Sequence, residues 1–158
     1  MWARDEGLYR LQRRDCSQGA AMLAAAFQED PLWRALFAGQ ATPAQWQAAF
    51  ETPLVYACHY GQAWASSPAL EGVAAWLPGR RARMSAWGML WSGALWSGLR
   101  MGGPLGARVQ AVFRPIEADR EAHLRGREYL YVVILGVAPQ QQGQGIGGRL
   151  LRAAIAES

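Results

Sequence analysis

The stretch that most constrains what this chain can fold into is residues 128–152, EYLYVVILGVAPQQQGQGIGGRLLR. Residues from Glu128 to Val137 are rich in Tyr, Val, Ile and Leu, which suit a pleated, half-buried surface, so a strand is predicted there. Pro139 forbids its simple continuation. Gly143, Gly145, Gly147 and Gly148 then loosen the backbone, with Gln142 and Gln144 among them. From Ile146 the spacing Ile146, Leu150, Ile155 fits one face of a helix. A strand, a glycine-rich turn and a helix start in that order aim backbone N–H groups and the positive helix end at an anion. The reading is a pyrophosphate cradle.

The rest of the composition bounds the setting. The chain has 158 residues, 51% hydrophobic and 18% charged, which is enough apolar surface for one domain with a real core. The net charge is +4, carried by arginine with no lysine. The arginines are scattered apart from Arg80, Arg81 and Arg83, which argues against a nucleic-acid surface and suits an anionic cofactor. Cys16 and Cys58 make no disulfide framework and have no metal-ligand spacing, so they read as small buried thiols. No metal site is expected. Met84 to Leu99 carries no charge but is shorter than the ~20 residues a bilayer span requires. With no leader pattern at MWARDEGLYR, a cytoplasmic protein with no membrane partner is expected.

Along the chain, a first strand is expected within Gly7 to Arg13, then a helix capped by Asp15 or Ser17 and running to about Phe27. Asp30-Pro31 and Thr42-Pro43 each pair a capping side chain with proline at the first helical position, so each opens a helix. Leu54 to His59 and Ala69 to Leu77 are expected as two strands of an antiparallel hairpin, turning at Ser66-Ser67-Pro68. Met84, Trp87, Trp91 and Leu95 have helical spacing. Ala107 to Phe113 is helical, and Pro115 is expected to kink or stop it. Glu117 to Leu124 is a second short helical stretch.

A Walker loop is excluded, because no Lys-Ser/Thr follows the glycines. A dinucleotide fingerprint belongs after an early strand, with an acidic residue about twenty positions later, and here the motif is late. The sequence Gln142-Gly143-Gln144-Gly145-Ile146-Gly147, preceded by Leu135-Gly136-Val137-Ala138-Pro139, resembles the GNAT superfamily of acetyl-coenzyme A-dependent N-acetyltransferases. It matches the Gln/Arg-x-x-Gly-x-Gly/Ala signature at its strand–turn–helix position. The resemblance runs more loosely through Ala26-Phe27, Asp30-Pro31 and Gly72 to Pro78.

That resemblance implies an α+β fold of the acyl-CoA N-acyltransferase type, a mostly antiparallel central sheet flanked by helices. It implies acetyl-CoA as acyl donor and direct attack by a primary amine of a small molecule in a ternary complex. The alternative is a non-catalytic acyl-CoA-binding or scaffold protein. Backbone groups of Leu135, Gly136 and Val137 are expected to pair with the pantetheine arm as an added strand does. Those of Gln142, Gly143, Gln144, Gly145, Ile146, Gly147 and Gly148 are expected to hold the pyrophosphate. Arg149 or Arg152 meets a phosphate or lies in solvent. Glu128 is the candidate base or a solvated strand terminus. Tyr129 and Tyr131 line the acceptor site or pack the core. Trp33, Phe37, Trp87 and Trp91 form an aromatic wall for the acceptor or belong to the helix–sheet core. The family continues beyond the motif helix with further strands, so a C-terminal part outside this chain, a complementing segment or a second copy is expected to cover the central strand's edge.

Overall fold

The computed structural model describes residues 7–37 and 39–158. A short strand β1 (Tyr9–Arg10) leads into helix α1 (Cys16–Ala26), which is followed by α2 (Pro31–Phe37) and α3 (Pro43–Tyr60). Strands β2 (Gln62–Ala65) and β3 (Gly72–Pro78) form a hairpin. Three helices follow, α4 (Ala86–Ser92), α5 (Ala94–Met101) and α6 (Gly103–Leu124). The last described elements are β4 (Leu130–Val137) and α7 (Ile146–Ala156). The sheet has the order β1-β2-β3-β4 and every pair is antiparallel.

The expected mixed α+β architecture is present, and the capping signals explain where several helices begin. Asp30 Oδ1 accepts from the N–H groups of Leu32 and Trp33 at 3.0 and 3.1 Å, opening α2. Thr42 and Gln45 cap α3 reciprocally, at 3.2 and 2.9 Å. Asp15, by contrast, makes no side-chain cap to α1, because its carboxylate takes the Tyr9 hydroxyl and the Gln12 N–H.

Three expectations are corrected. Leu54 to His59 belongs to α3, not to a strand. Leu54, Val55, Tyr56 and Ala57 are all buried, so their unbroken apolar run carries no helical period. The hairpin is therefore shifted downstream, to 62–78. The stripe beginning at Met84 is broken at Gly93, whose φ of +78° ends α4 and starts α5, and the Arg13 guanidinium donates to the carbonyls of Ser92 and Gly93 there. Pro115 neither stops nor divides α6. It lies on an exposed turn, and the carbonyl it leaves without a donor, at Ala111, belongs to an exposed residue too, so water can serve it.

Helices α1 and α3 cover one face of the sheet, where Leu23, Phe50 and Leu54 meet Val73, Ala75, Leu77 and Ile134. Helix α7 covers the other, where Leu150, Ala153 and Ala154 meet Ala74 and Trp76. Burying each such large side chain stabilises the fold by roughly 1.5–3 kcal/mol. β3 is buried on both faces, which is why it shows no alternation. The Trp76 indole N–H donates to Glu157 at 2.9 Å, so even the buried ring nitrogen is satisfied. Between β3 and β4 the register slips: Ala75 faces Ile134 but Trp76 faces Val132. Val133 is the extra residue of a bulge, which lets both Val133 and Ile134 reach the α1–α3 core.

Candidate active site

Two features meet at the carboxyl end of β4. The first is the strand's free edge, since β4 pairs only with β3 among the described residues. Ala138 N donates to Glu71 O at 2.7 Å, so the backbone at 138 faces the β3 side. Hydrogen-bonding direction alternates along an antiparallel strand, so Leu135 and Val137 turn their backbone groups to the open edge. The Val137 carbonyl accepts from Gln142 Nε2 at 3.1 Å. Gln142 thus ties the loop back to the strand, and the Val137 and Leu135 N–H groups remain for something else. Gly136 serves the inner face: a Cβ there would lie 2.6 Å from Leu23 Cδ2, because α1 presses directly on the strand.

The second feature is the loop. Pro139–Gln141 forms a 3-10 turn, and Gly143 and Gly145 then take φ of +80° and +79°. A Cβ at either would meet nothing within 4 Å, so these glycines are demanded by backbone conformation and leave open space above the loop. Gly145 occupies the N-cap of α7 and offers no side chain, and its carbonyl accepts from Arg149 N at 3.0 Å. The N–H groups of Gln142 through Gly148 donate to no group among the described residues. The last of them, at Ile146, Gly147 and Gly148, belong to the first turn of α7, where the helix dipole is positive.

The loop is buttressed from behind. Gly72 lets α7 settle on the sheet, since a Cβ there would be 2.5 Å from Ile146 Cγ2. At Gly147 a Cβ would meet Leu135 Cδ2 at 3.4 Å and Val137 Cγ2 at 3.6 Å, ordinary contact distances, so that glycine is not required for the packing. Arg149 Nη2 donates to Ser66 O at 2.9 Å, which commits that arginine to the β2–β3 turn, whereas Arg152 is exposed. In the same turn the Ser67 and Ser66 hydroxyls donate to Glu71 at 2.6 and 2.9 Å, and these bonds hold its carboxyl below the usual carboxylate range. Sequence reasoning took Ser66-Ser67-Pro68 only as a turn. Its link to the loop joins residues distant in the chain, and no local pattern signals it.

The remaining candidates are not gathered at the loop. Glu128 and Tyr129 precede β4 rather than beginning it, and both line a cavity of about 790 Å3 with Tyr60, Trp76, Arg80 and Arg127. Glu128 is exposed there. Tyr129 packs over Gly79, and its carbonyl accepts from Gly79 N–H at 2.8 Å. Tyr131 lies under the Arg120 guanidinium, 4.2 Å from its ring centre, and Arg120 Nε and Nη1 are buried without a partner among the described residues.

The expected aromatic wall is not one surface. Phe37 is buried against Trp46, with ring centres 4.2 Å apart, and Trp33 packs on Phe50 at 4.7 Å. Both serve the core between α2 and α3. Trp87 and Trp91 sit on the outer side of α4, 69% and 72% exposed. No family model matches the chain, and no curated protein matches it.

Proposed function

We propose that this chain binds acetyl-CoA and transfers its acetyl group to a primary amine of a small molecule, as the GNAT resemblance implies. The observation that carries the reading is the unbroken row of unpaired backbone N–H groups from Gln142 to Gly148, opening at a helix N-terminus beside a free strand edge. An extended pantetheine arm along that edge would find the outward backbone groups of Leu135 and Val137. A diphosphate would accept from the loop, where Gly143 and Gly145 keep side chains away. The Val137 N–H is the candidate donor to the oxygen of the thioester carbonyl as charge develops there. Glu128, nine positions before Val137 along an extended segment, lies roughly 30 Å from that N–H at about 3.3 Å per residue, too far to take the amine proton at the same thioester, so the reading assigns no base.

A second reading, acyl-CoA binding without transfer, draws on the position of Glu128, exposed at the end of β4 opposite the loop. Both readings require acetyl-CoA binding, and only the first requires turnover. Calorimetric titration with acetyl-CoA, followed by a thiol-release assay over a panel of small amines, separates them. Binding together with turnover on any amine supports the first. Binding with no turnover on any amine supports the second, and absence of binding removes both.

A further inference from the structure

Cys16, the first residue of α1, and Cys58, in the last turn of α3, bring their sulfurs to 3.4 Å. They are separated by more than forty positions in sequence, so only the α1–α3 packing makes them neighbours. Both are free thiols. Cys16 is buried, at 1% exposure, while Cys58 is half-buried, so of the two residues Cys58 is the more open to solvent. The remaining sulfur contacts are weak ones: Cys16 to Gln12 O at 3.6 Å and Cys58 to Leu11 O at 3.9 Å.

We infer that Cys58 and Cys16 form a thiol-modification site for low-molecular-weight disulfides, with Cys58 as attacking and Cys16 as resolving thiol. The geometry gives the order, and the local chemistry agrees with it. A hydrogen bond from Cys16 holds the Cys58 thiol below its ordinary value, with Arg13 and Arg10 assisting against burial and Asp15. Cys16 is pushed up by that same contact, then by burial. In the first step the Cys58 thiolate attacks one sulfur of the reagent, forming a mixed disulfide and expelling the other half as a thiolate, which takes up a proton. Capping Cys58 removes the contact that held the Cys16 proton. Cys16 then loses that proton to water and attacks Cys58 Sγ, expelling the second thiolate. Two protein thiols become one disulfide, losing two electrons and two protons, and the reagent is reduced to two thiols. The new bond would staple the start of α1 to the end of α3.

The test uses the folded full chain and oxidised glutathione, followed by intact mass and a peptide map. Wild type is expected to lose two free thiols, to link the peptides holding residues 16 and 58, and to keep no glutathione. Its thermal midpoint should rise, and dithiothreitol should reverse the change. Cys16→Ala is expected to retain one glutathione on Cys58, and Cys58→Ala to react at least about tenfold more slowly, as its remaining thiol is shielded. A wild type that stays reduced, or that keeps a stable glutathione adduct, overturns the inference without recourse to either variant. So does a Cys58→Ala chain that reacts as fast as Cys16→Ala.

Discussion

Gly145 holds a left-handed conformation at the helix start, where an L side chain costs about 1–2 kcal/mol. Nothing crowds the position, so Gly145→Val should lower stability by about that amount through backbone strain alone. It should also place methyl groups over the row of N–H donors. Thermal denaturation measures the first effect and acetyl-CoA titration the second. Glu71 acts differently. Because its folded carboxyl is held low by Ser67 and Ser66, its contribution is complete at neutral pH and is lost as pH falls through the folded value. The stability gap between wild type and Glu71→Gln should therefore be largest near pH 7 and shrink as pH falls below the ordinary glutamate value of about 4.3, which chemical denaturation across that range would show. The glycines were legible in the sequence because their spacing is local. The Arg149–Ser66 bond was not, because it depends on where the β2–β3 turn lies relative to α7, and the Glu71 cluster, though local, shows in the sequence only as a turn.

At the scale of elements, junction geometry decides more than propensity. Gly61 joins α3 to β2 where a Cβ would lie 2.1 Å from the Trp76 carbonyl oxygen. A neighbouring backbone cannot turn aside as a side chain can, so Gly61→Ala should destabilise by about 1–3 kcal/mol or more through overpacking. Leu150 is fully buried between α7 and β3, and Leu150→Ala should cost about 2–5 kcal/mol in urea denaturation. The starts of α2 and α3 were readable, since Asp30 and Thr42 bond within three residues of themselves. The end of α3 was not: Leu54 to Ala57 is buried on every side, and such a run looks alike in helix and strand. Proline misled at residue 115 for the opposite reason, because its penalty falls on a solvent-facing turn where it is small. The bulge at Val133 leaves no sequence mark, yet it decides which β4 residues face which core.

Across the whole molecule, the sheet order leaves β4 with a partner on one side only among the described residues. An apolar strand edge of eight residues invites pairing with another chain or with an extended ligand. Three parts of the molecule converge on that edge: α1 fixes it through Gly136, the β2–β3 turn fixes its end through Glu71, and α7 fixes the loop beside it. Among the described residues no helix is long and apolar enough to cross a membrane. The sequence allowed the sheet-and-helix class and the place of the loop to be stated, because residues 128–152 specify a local unit. It left the acceptor region open, since Trp33, Phe37, Trp87 and Trp91 differ only in tertiary surroundings. Isothermal titration of wild type and Gly145→Val with acetyl-CoA bears most directly on the loop's role. Saturable one-site binding is expected for wild type, weakened about tenfold or more in a variant that keeps its cooperative thermal transition. Equal affinity in the two chains, or a folded wild type that shows no binding at millimolar ligand, would contradict the proposed function.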